Sequence, residues 1–148
     1  MHRKNRKYLK LPHDLNCRQP IVLFDGECTL CSRSVRFLIR YNKTANLSFS
    51  SLQSKTGLLI LKLAEIPITQ NETLYFIENN YIFSYSAAAL MITAHLDFPY
   101  SLLRIFTIIP GFFSDHLYRT IARNRYKWFG KQNVCCINEN EYSQRFIS

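Results

Sequence analysis

The sequence predicts an α/β domain built on a mixed four-stranded sheet flanked by helices, with additional helices at its C-terminal end. Three observations predict it. A continuous β-prone run, Ile21-Val22-Leu23-Phe24, passes directly into a stretch of helical periodicity. A second β-prone stretch, Leu47-Ser48-Phe49-Ser50, follows that helix and alternates as a strand should. Two further apolar runs then flank Asn79-Asn80, a pair suited to a hairpin turn because Asn tolerates positive φ.

Each element has its own signal. Ile21–Phe24 has no polar position, which suits a central strand buried on both faces. Asp25-Gly26 ends it. The helix that starts at Cys28 runs to about Tyr41, with Cys31, Val35, Leu38 and Ile39 on its inner face. Leu58 to Ala64 predicts a second helix, stopped before Pro67. Thr73–Ile77 and Tyr81–Phe83 predict the third and fourth strands. Ser84 or Ser86 caps an Ala-rich helix whose apolar character predicts burial. Leu102 to Ile109 and Ser114 to Trp128 read as two more helical segments, divided at Pro110-Gly111 and ended by Gly130. A strand–helix–strand opening gives a parallel pair, and the hairpin adds antiparallel strands to the same sheet. This is the thioredoxin-like arrangement.

One domain accounts for 148 residues. Residues 1–17 are read as a basic N-terminal tail, solvated or touching an anionic surface, and residues 18–148 as the folded domain. The formal net charge of +9 favours anionic partners without choosing among them. No apolar h-region follows the basic start, and no apolar run reaches the roughly 18 residues needed to span a bilayer. The expectation is a soluble cytoplasmic protein. Five cysteines, at 17, 28, 31, 135 and 136, are too few and too uneven for a secreted disulfide scaffold.

The chemistry is concentrated in Asp25-Gly26-Glu27-Cys28-Thr29-Leu30-Cys31. Two cysteines one helical turn apart have Cα atoms about 5–6 Å apart, within the range of a disulfide. Cys28, at the helix N-terminus, is favoured as a thiolate and hence as the nucleophile. Cys31, a turn further in on the apolar face, is expected to be the more buried and less reactive thiol. Arg33 and Arg36 are expected to add positive potential, and Glu27 to oppose it. Asp25 has two readings: a proton relay to Cys31, or a turn acceptor holding Gly26 and the helix start. Gly26 is expected to supply a tight turn and let substrate backbone approach.

A zinc half-site is the competing reading of the cysteine pair, but structural zinc wants four ligands and Cys135-Cys136 lack the spacing. No metal is expected. A second alternative is a non-catalytic basic module, membrane-peripheral through Leu102–Phe113. Arg123, Asn124 and Arg125 read as an anion-docking face or a structural brace. Tyr126, Trp128 and Phe129 read as packing residues rather than a nucleic-acid platform, so no nucleic acid is expected.

The motif from Asp25 to Cys31 resembles the signature of the DCC family of thiol–disulfide oxidoreductases, named for its Asp and two Cys. Val22-Leu23-Phe24, Leu47-Ser48-Phe49 with Leu52-Gln53-Ser54, Ser86 with its Ala-rich helix, and the late stretch Tyr118-Arg119 to Phe129-Gly130-Lys131 fit as well. The resemblance spans about residues 20 to 147. It implies a thioredoxin-like, bacterial-type protein and supports the fold more than any particular reaction; the cysteine pair itself is read as exchanging the Cys28–Cys31 dithiol with a disulfide substrate through a mixed disulfide. The electron donor is unnamed and no cofactor is implied beyond the redox pair. Cys135 matches a cysteine that often follows the late stretch, which makes it a candidate third redox thiol. Thr29-Leu30 replaces the Gly-Pro of thioredoxins. No proline immediately precedes the third strand, so Thr73 or Glu72 is expected to take the place of the substrate-facing cis-proline.

Overall fold

A computed structural model describes residues 6–8, 19–67, 73–108, 110–131 and 144–147. In chain order the elements are β1 (Arg6–Tyr8), β2 (Ile21–Phe24), α1 (Thr29–Tyr41), β3 (Ser48–Ser51), α2 (Lys55–Leu63), β4 (Tyr75–Glu78), β5 (Tyr81–Ser84), α3 (Tyr85–Thr93), a 3-10 helix (Tyr100–Ile108) and α4 (Gly111–Phe129).

The sheet has five strands in the order β1-β5-β4-β2-β3. β2 pairs parallel with β3 and antiparallel with β4, and β4 pairs antiparallel with β5. Every residue of β2 is buried, as its uninterrupted apolar run requires. Its side chains alternate between two cores. Val22 and Phe24 pack with Val35 and Leu38 of α1, Phe49, Phe76 and Ile92 of α3. Ile21 and Leu23 pack on the other face with Leu52, Ile60 and Leu61 of α2, Tyr75 and Ile82. Two helical layers thus enclose the sheet. Full burial of each such large side chain contributes about 1.5–3 kcal/mol.

Asn79 and Asn80 take φ of 50° and 62° in the β4–β5 hairpin, the left-handed conformation that Asn tolerates. Gly130 ends α4 at φ +81°. The Leu102–Ile109 helix is a 3-10 helix in its described part, over Tyr100–Ile108.

Two strand-like segments correct the sequence reading. Arg6–Tyr8, inside the stretch read as a solvated tail, form β1 against β5. Lys7 Nζ donates to the Ala64 carbonyl at 2.5 Å and pairs with Glu65 at 3.1 Å, so a cation marks this sheet edge. At the other edge Phe146 forms a parallel bridge to Phe49, held by Phe49 N–H to Arg145 O (2.7 Å) and Ile147 N–H to Phe49 O (2.9 Å). A sheet of four predicted strands therefore has five, with a further bridge beyond β3. Three residues are too few for alternation to announce a strand, which is why β1 escapes the pattern.

Candidate active site

The site stands where β2 meets α1. Asp25 ends the strand, and the Cys28 N–H returns to the Asp25 carbonyl at 3.3 Å, closing the turn. Cys28 is the N-cap of α1, with extended φ and ψ of −92° and 118°, and its Sγ accepts from the Cys31 N–H at 3.4 Å. A sulfur in this position takes the place of a capping oxygen at a helix end that favours negative charge.

The interaction between the two thiols is the largest influence on both, lowering the Cys28 pKa and raising that of Cys31. Cys28 reaches about 6 against an ordinary 9.0, with desolvation opposing the shift, and the Cys31 N–H and the Arg125 charge assisting it. Burial and the neighbouring Cys28 charge also hold the Cys31 proton on.

Asp25 organises the charges around the pair. It is 1% exposed, and its carboxylate accepts four hydrogen bonds. Oδ1 takes the Glu27 N–H (3.0 Å) and Gln53 Nε2 (2.9 Å). Oδ2 takes Arg125 Nη2 (2.8 Å) and the Tyr126 hydroxyl. Arg125, buried on α4, also directs Nη1 at Cys31 Sγ from 3.5 Å. A buried Asp–Arg ion pair thus joins the strand end to α4 and places a guanidinium on the second sulfur. Asp25 is linked to the Cys31 sulfur by hydrogen bonds through Arg125, and its charge also acts directly on both thiols, raising their pKa.

Exposure reverses the sequence expectation. Cys28 is 0% exposed, whereas Cys31 is half-buried. The cause lies a hundred residues downstream. Lys131 forms an antiparallel bridge with Cys28, the Thr29 hydroxyl donates to the Gly130 carbonyl at 3.2 Å, and Lys131 pairs with Glu27 at 2.8 Å. The chain leaving α4 lies against the first cysteine. Cys31 instead lines an apolar cavity of about 500 Å³ between α1, α3 and α4, with Leu38, Ile92, Tyr118, Ile121 and Arg125 among its walls.

Other expected residues are distributed unevenly. Glu27 is matched by Lys131, and Asp25 is the carboxylate that raises the Cys28 pKa. Arg33 lines the cavity, but the cation acting on Cys28 is Arg125 rather than Arg33 or Arg36. Gly26 donates its N–H to Gln53 Oε1, and a Cβ there would meet Ser51 Oγ at 3.1 Å, so it faces the β3–α2 loop rather than open space. Thr73 is buried beneath Tyr118, its Oγ1 accepting the Tyr85 N–H at 3.1 Å. Arg123 is exposed, two residues from Arg125 on a different side of α4. Glu72, Cys17, Cys135 and Cys136 lie outside the described residues. Among the described residues no three metal-ligating side chains cluster.

Gln53 and Tyr126 are hydrogen-bond partners of Asp25 that sequence reasoning missed. Both stand in stretches that carry the family resemblance, Leu52-Gln53-Ser54 and the Arg125-Tyr126 run, and that coincidence was the available signal.

A dithiol at the mouth of a helix that follows a buried central strand, within a sheet of this topology, defines a thioredoxin-like dithiol protein. A profile of the DCC1-like thiol-disulfide oxidoreductase family matches residues 22–131, and the chain belongs to that family. It is 39% identical to the protein YuxK of Bacillus subtilis over 127 residues, covering 86% of this chain and 93% of that one. It is 34% identical to a chloroplastic DCC family protein of Arabidopsis thaliana over 120 residues, covering 80% and 69%. No solved structure matches the chain significantly. Among the described residues no helix is long and apolar enough to cross a membrane.

Proposed function

We propose that the protein exchanges its Cys28–Cys31 pair with a protein or small-molecule disulfide, in a reducing compartment such as the cytoplasm and with no redox group beyond the pair itself. The observation that supports this most is the place of Cys28 as the N-cap of α1, its Sγ accepting the Cys31 N–H at 3.4 Å one turn from the second thiol, where Cys28 ionises near neutral pH while Cys31 keeps the proton. In the reducing direction the Cys28 thiolate attacks one substrate sulfur. A mixed disulfide forms and the other substrate sulfur leaves as a thiolate. Cys31 then loses its proton to solvent or to that leaving thiolate, with Arg125 stabilising the sulfur anion. It attacks Cys28 Sγ, releasing the second substrate thiol and leaving a Cys28–Cys31 disulfide. An external dithiol donor reverses these steps to regenerate the pair. Asp25 is a positioning residue acting through Arg125. Because Cys28 lies under Gly130-Lys131, exchange requires that contact, pinned by the exposed Glu27–Lys131 pair, to part.

The test is reduction of insulin and of a small aromatic disulfide under a dithiol donor. Cys28→Ser is expected to lower turnover to the uncatalysed background. Cys31→Ser is expected to accumulate a mixed disulfide on Cys28, visible as an adduct mass. Wild-type protein with no activity above background toward either substrate, or adducts borne by another cysteine, would overturn the proposal.

A further inference from the structure

The redox reading leaves one large surface unused. Leu102, Ile105, Ile108, Phe112, Phe113 and Leu117 are between 60% and 78% exposed. They are contributed by the 3-10 helix and the first turns of α4, which adjoin at Pro110. The patch continues along α4. Phe113, Leu117 and Ile121 recur every four residues, and Trp128, seven residues on, shares their side of the helix. Proteins rarely leave so many large apolar side chains of two successive helices in water unless the surface meets a partner.

Charge selects the partner. In residues 98–131 six basic side chains face one acidic residue, Asp115, which bonds to the Ser86 hydroxyl. Two of the six, Arg125 and Lys131, are matched by Asp25 and Glu27. The surplus rests with Arg104 on the 3-10 helix and with Arg119, Arg123 and Lys127, which recur every four residues along the side of α4 next to the apolar stripe; all four are exposed. An exposed apolar stripe bordered by cations is the pattern of a helix lying in a membrane interface, its apolar side in the acyl boundary and its cations at anionic headgroups. A second copy of this chain would set the same surplus of positive charge against itself.

We infer that α4 and the 3-10 helix form a docking surface for an anionic lipid bilayer, with Phe112, Phe113, Leu117 and Trp128 entering the interface. The inference rests on exposure and charge alone, and it stands independently of the redox chemistry.

Trp128 is the only tryptophan in the chain, so its emission reports on this surface directly. The full chain is mixed with vesicles of phosphatidylcholine alone or with one-third phosphatidylserine, and followed by flotation and fluorescence. Co-flotation and a blue shift of Trp128 are expected with the anionic vesicles at low salt. Binding is expected to be at least about tenfold weaker on neutral vesicles or in high salt. The double variant Phe112→Ser/Phe113→Ser, at exposed positions, is expected to keep its circular dichroism and lose flotation. The triple variant Arg119→Gln/Arg123→Gln/Lys127→Gln is expected to bind at least about tenfold more weakly. No flotation with anionic vesicles at low salt would overturn the inference, as would equal binding to neutral ones. Self-association abolished by Phe112→Ser/Phe113→Ser, without vesicle binding, would assign the surface to a second copy instead.

Discussion

Arg125→Met is expected to destabilise the reduced protein by about 3–5 kcal/mol, the usual result of stranding one partner of a buried ion pair. The Asp25 and Arg125 side chains are 1% and 4% exposed. Without Arg125, the Asp25 carboxylate keeps the Glu27 N–H, Gln53 Nε2 and the Tyr126 hydroxyl but loses its positive charge. Asp25→Leu should be comparably destabilising, because it buries an uncompensated guanidinium. The double variant Asp25→Leu/Arg125→Met should recover much of the loss, since apolar pairs of similar volume often replace buried ion pairs without penalty. It would not recover the chemistry: Arg125 lowers the Cys28 pKa and touches Cys31. Urea unfolding of the reduced variants, arranged as a double-mutant cycle, measures the coupling. Single variants that each lose less than about 1 kcal/mol would show that the pair does not brace the fold in this way.

The ion pair also shows how far the sequence could be read. Periodicity and turn chemistry are local, and they announce β2, α1, the β4–β5 hairpin and the end of α4. The position of Cys28 at the head of α1 follows from the same signals. What escapes is contact between residues far apart in the chain. Arg125 and Asp25 are 100 residues apart. Nothing near Asp25 says which cation will meet it, and Arg33 and Arg36 are closer in sequence. The burial order of the cysteines fails for the same reason. A helix-face argument makes Cys31 the inner residue, but Gly130-Lys131 arrive from the end of α4 and lie on Cys28. Gln53 is invisible until β3 is placed beside β2, which sets its loop next to the Asp25 turn.

Gly57→Ala is the second large expected effect. The sequence starts the second helix at Leu58, but Ser54 caps it and α2 begins at Lys55, so Gly57 lies in its first turn. The Gly57 N–H donates to Ser54 Oγ at 3.0 Å, and its Cα is pressed on the end of β3. An added Cβ would stand 2.1 Å from the Ser51 carbonyl oxygen and 3.1 Å from Leu52 Cα. Both are backbone atoms, so relief requires moving α2 away from the sheet or distorting the loop that carries Gln53. A loss of about 2–4 kcal/mol is expected, whereas Lys55→Ala, at an exposed position of the same helix, should change stability by less than about 0.5 kcal/mol. Thermal and urea unfolding of the two variants provide the comparison. A neutral Gly57→Ala would mean that α2 sits further from β3 than described.

Ionisation of Cys28 is the claim on which the redox chemistry turns. Its pKa near 6, against 9.0 for an ordinary thiol, means that between those values the folded reduced protein holds fewer protons than the unfolded chain. The resulting contribution to stability is therefore full above pH 9, shrinks as the pH falls, and is lost below about 6. The direct measurement is thiolate absorbance at 240 nm across pH 4 to 10 for reduced wild type, Cys28→Ser and Cys31→Ala. A thiolate step near pH 6 in the wild type, absent from Cys28→Ser and moved upward in Cys31→Ala by loss of the Cys31 thiol's influence on Cys28, is the predicted result. A wild type whose thiolates all form above about pH 8, or a low step that survives in Cys28→Ser, would contradict it.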